Sequence, residues 1–261
     1  LALQCEGAEL AASRAAFESW NRKQPGGGMV EAAGGVAFYF GVDSPLSQVL
    51  HAGLRGEVTE AEWRKIEDLY RENGAPIHVS LCPLADQSLI DLLGRRGYSI
   101  VQMENTLCRK LAPGEHWPAV TPRVLTHAAR PEDFEQWSRA FQEGFFSLEQ
   151  DLPEIRSLAR AFFEAPHTVP YCGYYHGVLG AVACLLTLGD TALFAGDATR
   201  PAFRARGMQR ALITERLRHA AASGVRLAVA CALAGSSSQK NYERMGFRVA
   251  YTKAILRKEL S

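Results

Sequence analysis

Residues 82–111 and 231–260 align without a gap, 149 positions apart, with Gly97 set against Gly246 and Cys82 against Cys231. Eight positions are identical: those of Cys82, Leu84, Ala85, Ser88, Arg95, Gly97, Leu107 and Leu111. Average residue usage would give about two by chance. Tyr98 opposite Phe247 and Ile100 opposite Val249 add conservative matches. A match of this kind is a duplicated domain, so the chain is expected to build one fold twice. Its 261 residues agree, being about twice the ~150-residue prior for one domain. The segment from Ala112 to Pro122, with three prolines and a glycine, cannot carry a helix through and separates the copies. The expected domains are 1–111 and 123–261, joined by a linker over 112–122.

The second copy reads as apolar strands alternating with amphipathic helices. A strand over Arg123–His127 precedes two helices, Arg130–Phe146 and Leu152–Glu164. Three strands follow, Tyr171–Tyr175, Val178–Leu188 and Ala192–Ala198, separated by His176-Gly177 and Gly189-Asp190 turns. Met208–Ser223 has Leu212, Ile213 and Leu217 on one helical face and Gly224 as its stop. Arg226–Ala232 is a buried-strand run, Ser236–Met245 a helix capped by Gly246, and Phe247–Arg257 a last strand. The order β-α-α-β-β-β-α-β-α-β places each copy in the α/β class, with a mixed α+β sheet flanked by helices.

Composition removes several functions. Lys and Arg total 29 against 28 Asp and Glu, a net charge of +1, which leaves no basic footprint for nucleic acid and no field for a membrane surface. The greasiest run, Val178 to Leu188, is far short of the ~20 apolar residues of a membrane span. Leu1 to Trp20 carries Glu6, Glu9 and Arg14 among alanines, so it reads as a helix rather than a signal peptide, and a cytoplasmic protein is expected. The six cysteines form no C-x-x-C pair and no His-partnered spacing, so no metal site is expected and reduced, buried thiols are. P-loop, metalloprotease and serine-hydrolase signatures do not occur.

The chemistry concentrates between Thr199 and Ile213. This stretch joins a strand to a helix, carries Arg200, Arg204, Arg206 and Arg210, and holds no acid between Asp197 and Glu215. A helix start leaves about four N–H groups unpaired with a partial positive charge, and here no Ser, Thr, Asp or Asn stands ready to cap them. Gly207 lets an anion approach the backbone, and arginine forks match phosphate. The physical reading is a pyrophosphate cradle; the competing one is a solvated arginine-rich turn.

At this point the residues resemble a family. Arg204-Ala-Arg-Gly-Met-Gln209 is similar to the R/Q-x-x-G-x-G/A loop of the GNAT superfamily of N-acetyltransferases, and Asn241-Tyr-Glu-Arg-Met-Gly-Phe247 is similar to its late Y-E-x-x-G-F segment. Gln209 departs from the family pattern, making the helix start bulkier while offering donors of its own. The resemblance implies a tandem of two such domains with mostly antiparallel sheets, the first copy degenerate. It further implies acetyl-CoA as co-substrate, held by the backbone of Asp197, Ala198 and Thr199 and by Arg204, Ala205, Arg206, Gly207, Met208, Gln209, Arg210 and Asn241. Transfer in the family runs directly from thioester to amine, so the expected partner is a small-molecule or peptide amine, and the chain is a monomer or homodimer.

Direct transfer requires an amine, with pKa about 10, to shed a proton, and a departing thiolate to gain one. Tyr242 lies where many family members place the acid; the competing reading is a packing tyrosine. Glu143, Glu149 and Asp151 are base candidates beside the first helix of the domain, set against surface charges and a water route. Phe141, Phe145, Phe146, Tyr171, Tyr174 and Tyr175 line an acceptor pocket or, the commoner case at such spacing, belong to the core. In the first copy Thr59 and Glu62 have capping-box spacing, Glu57 and Glu60 stand where arginines would, and Leu93 replaces the phenol, so no diphosphate site is expected there. The alternative to an enzyme is a scaffold that binds acyl-CoA or another small ligand without turnover.

Overall fold

The computed structural model describes residues 1–24, 26–42, 44–112, 114, 115, 117, 123–148, 150 and 152–260. Most of the expected linker (Pro113, His116 and 118–122) and the candidates Glu149 and Asp151 lie outside the described residues. No helix among the described residues is long and apolar enough to cross a membrane.

The chain packs as two compact units, and their boundary differs from that of the sequence repeat. One unit is Leu1–Thr106 with the chain from Val249 onward; the other is Leu107–Arg248. The first contains α1 (Ala2–Asn21), β1 (Gly28–Ala32), β2 (Gly35–Tyr39), β3 (Gln48–Leu50), α2 (Glu60–Glu72), β4 (Ile77–Leu81), α3 (Gln87–Arg95) and most of β5 (Ser99–Lys110). The second contains the end of β5 and β6 (Val124–Ala128), α4 (Phe134–Phe146), α5 (Pro153–Phe163), β7 (Thr168–Tyr175), β8 (Val178–Leu188), β9 (Thr191–Thr199), α6 (Met208–Ala222), β10 (Leu227–Leu233) and α7 (Ser237–Arg244). The last strand, β11 (Arg248–Lys258), ends the second repeat yet runs antiparallel to β4 in the first unit. Strand order there is β1-β2-β3-β4-β11-β5.

Local chemistry explains these elements. In the first unit, α2 starts with the expected capping box: Thr59 Oγ1 accepts from Glu62 N, and the Glu62 carboxylate accepts from Thr59 N. Its buried face, Trp63, Ile66 and Tyr70, packs with Val49 and Val79 of the sheet in one core. In the second unit, α6 and α7 are followed by Gly224 and Gly246 at φ +79° and +83°, the left-handed stop that glycine adopts without a Cβ clash. The helix expected from Arg130 begins instead at Phe134. The Asp133 carboxylate accepts from Arg130 N at 2.8 Å and holds residues 131–133 in a short 3₁₀ turn.

The sheet of the second unit runs β6-β7-β8-β9-β10 and then the end of β5. Strands β6 to β9 pair antiparallel, while β9 and β10, joined through α6, run parallel. Met208, Leu212, Ile213 and Leu217 of α6 share one core with Phe194, Tyr242 and Phe247.

Candidate active site

The site starts from a defect in a ladder. β9 pairs with β10 only from Thr191–Phe194 opposite Leu227–Ala230, although both strands continue past that point. Opposite β8, Cys184 faces Ala195 while Val182 faces Ala198, so Gly196 and Asp197 together oppose the single residue Ala183. This is a β-bulge, and Gly196 at φ +63° supplies it. A bulge bends its strand, and here the β9–β10 ladder ends where the bulge begins.

Asp197 occupies the bulge and is held from two sides. Arg216, fully buried on α6, forms a two-pronged ion pair with it, Nη1 lying 3.0 Å from Oδ2 and Nη2 bonding Oδ1. The Tyr242 hydroxyl of α7 donates to Oδ2 at 2.8 Å. Arg216 also donates to the carbonyls of Cys184 and Leu212, so little of its guanidinium remains unsatisfied. Tyr242 is 1% exposed and packs edge-on against Phe247 and Phe194. Burial, and then the Asp197 carboxylate, push its phenol well above the ordinary tyrosine range.

Beyond Thr199 the loop turns through Ala205 at φ +60° and Gly207 at φ +78° into α6, whose start has no side-chain cap. The first amides of α6 are therefore left to face a ligand, and no acid stands among them. A cleft of about 670 Å³ opens here. Asp197, Thr199, Arg204, Ala205, Gly207, Met208, Gln209, Arg210 and Asn241 line it, all sequence candidates. Two other candidates stand apart. Ala198 is buried in the sheet, and the Arg206 guanidinium stacks 4.9 Å from the Tyr175 ring instead of lining the cleft.

Several candidate side chains are engaged with protein groups. Arg204 donates to the Thr199 carbonyl at 3.3 Å and to the Gly144 carbonyl at 3.2 Å, tying the loop to α4. Gln209 donates to Ser238 Oγ at 2.9 Å and accepts from Asn241 Nδ2 at 2.8 Å, so its bulk bridges α6 and α7. Glu143 is paired with Arg200 through both carboxylate oxygens, at 2.6 and 3.2 Å.

Sequence reasoning missed Gly144, Phe203, Ser237, Ser238 and Arg244, which also line the cleft. Gly144 had a readable signal, a glycine inside a helix, where it costs stability unless packing demands it. A Cβ there would lie 2.7 Å from Thr199 N, so α4 rests directly on the end of β9. Gly144→Ala is expected to push the two apart and cost about 1–3 kcal/mol, measured by urea unfolding.

Residues 130–247 match the Acetyltransferase (GNAT) family. No curated protein matches the chain. Among solved structures, a GCN5-related N-acetyltransferase from Kribbella flavida is similar with TM-score 0.68 and 19% identity, covering 97% of this chain and 96% of that one. A GCN5-related N-acetyltransferase from Sphaerobacter thermophilus gives TM-score 0.64, 16% identity and coverages of 99% and 93%. A tandem GNAT protein from the clavulanic acid biosynthesis pathway gives 0.58, 15% identity and coverages of 98% and 95%. At these identities the likeness is one of fold over nearly the whole chain. Residues 130–247, which hold the bulged strand and the uncapped helix start, match the GNAT acetyltransferase family, and the whole chain shares its fold with those solved structures.

Proposed function

We propose that this chain moves the acetyl group of acetyl-CoA directly to a primary amine. The observation that carries the reading is the acid-free, uncapped start of α6, opening with positive-φ Ala205 and Gly207 into a cleft of about 670 Å³. That volume lies within the range of small-molecule sites. The residues fit a diphosphate: the amides at Met208, Gln209 and Arg210 are aligned with the helix dipole, and Arg204 and Arg210 line the same cleft. Ser237, Ser238 and Arg244 extend the polar lining along α7 for the remainder of the cofactor. Acetyl-CoA supplies an activated thioester, and its thiolate leaving group is far more stable than an alkoxide.

The chain's own groups then set the geometry. Arg216 and Tyr242 hold the Asp197 carboxylate and with it the bulge that interrupts the β9–β10 ladder. Tyr242 acts in this reading as a positioning residue, because its hydroxyl is already engaged as the donor to Asp197 and losing its proton would set two negative charges side by side. A thiol near pKa 8.5 needs no phenol to hold its proton. Glu143, neutralised by Arg200, fixes the loop rather than drawing off the amine proton, which passes to water.

Tyr242→Phe separates the roles. A positioning role lowers kcat at every pH with the profile unchanged, whereas an acid role removes the alkaline limb, as a pH series of thiol release would show. The second reading, an acyl-CoA-binding scaffold without turnover, is favoured by one observation: both candidate proton-transfer groups, Tyr242 and Glu143, are engaged with protein partners. Incubation with acetyl-CoA and a broad amine panel decides between them, with release of free thiol supporting transfer and CoA binding without release supporting the scaffold.

A further inference from the structure

We infer that the acceptor is a primary amine carried on an aromatic or branched apolar body, seated on an aromatic edge at the end of α4. The inference rests on the acetyl-transfer reading and adds the class of substrate. Phe145 is 53% exposed and Leu148 39% exposed, two large apolar side chains left in water directly after Gly144, which borders the cleft. Neither side chain lines the cleft itself, but both lie within four residues of Gly144, which does, and contiguous exposed apolar surface is where ligands dock.

Phe145 belongs to a continuous aromatic stack. It lies parallel to Phe141 at 5.5 Å between centroids and 5.1 Å from Phe146, and Phe141 in turn lies 5.6 Å from Phe162. Phe162 reaches the bulge itself, since a Cβ on Gly196 would sit 3.7 Å from its Cδ1. Rings therefore lead from the surface to the residue beside Asp197. The edge is fixed in place. Ser147 ends α4 in the left-handed region at φ +56°, and buried Gln142 accepts from Leu152 N at 3.0 Å and donates to the Gln150 carbonyl.

Among the described residues of this edge the one acid, Glu143, is paired with Arg200. A flat hydrocarbon body finds rings here on which to stack in offset or edge-on geometry. The transfer balances simply. The amine nitrogen, having shed its ammonium proton to water, bonds to the thioester carbonyl carbon and then gives up a second proton to water. The C–S bond breaks, and the thiolate leaves with the electron pair and is protonated from water.

The test uses the full chain with acetyl-CoA, comparing 2-phenylethylamine with spermidine by thiol release while calorimetry follows CoA binding separately. A kcat/KM at least tenfold higher for phenylethylamine is expected. Phe145→Ala is expected to lower it at least fivefold through KM with CoA affinity unchanged, and Phe145→Leu to restore most of it. Equal or better use of spermidine, an unaffected Phe145→Ala, or CoA binding with no turnover of phenylethylamine would each overturn the acceptor assignment. Absence of CoA binding would instead overturn the acetyl-transfer reading, and the acceptor with it.

Discussion

Arg216→Leu is expected to destabilise the chain by about 3–5 kcal/mol, the largest loss from any single substitution in the second unit. The reason is what it leaves behind. Asp197 sits in a bulge with its side chain 12% exposed, and its charge is matched chiefly by Arg216. Removing the guanidinium strands a carboxylate and frees the Cys184 and Leu212 carbonyls from their donors. In a chain of this size the melting midpoint should fall by roughly 10 °C. The double variant Arg216→Leu/Asp197→Leu is expected to recover most of the loss, because no charge is then orphaned. Urea unfolding of the two variants checks this, and a double variant as weak as the single one would show that Arg216 stabilises by packing alone.

The second large effect concerns binding. Gly207→Glu is expected to weaken CoA binding at least hundredfold, about 2.7 kcal/mol, while costing about 1–2 kcal/mol of stability through its left-handed backbone. Gly207 stands at φ +78° at the uncapped start of α6, so a Cβ there is strained and a carboxylate would itself occupy the amides proposed for the diphosphate. Gly207→Ala isolates the strain and should cost only a few-fold. Calorimetry with CoA measures both, and similar losses for the two would place the effect in backbone strain rather than in the cradle.

Much of the fold was legible because its signals are local. Val178–Leu188 is a strand over the span its apolar run marked out, and Met208 opens α6 and glycines close α6 and α7 where the pattern put them. The Thr59–Glu62 box was readable because a cap needs only two residues three apart. The placement of β11 was not, since β5 and β11 are copies of one strand and hydrophobic pattern does not name a neighbour. Nor was the bulge legible. Nothing in the helical pattern singles out Arg216 beside the Leu212, Ile213 and Leu217 face, and its partner lies 19 residues earlier, in a kink that leaves no mark beyond Gly196. The engagement of Glu143 by Arg200, 57 residues away, was hidden for the same reason.

The most direct measurement compares CoA with pantetheine, which lacks the diphosphate and nucleotide, in calorimetric titrations of the full chain. If bare amides at the start of α6 grip a diphosphate, CoA should bind at least a hundredfold more tightly than pantetheine. Equal affinities, or no heat from either, would contradict it.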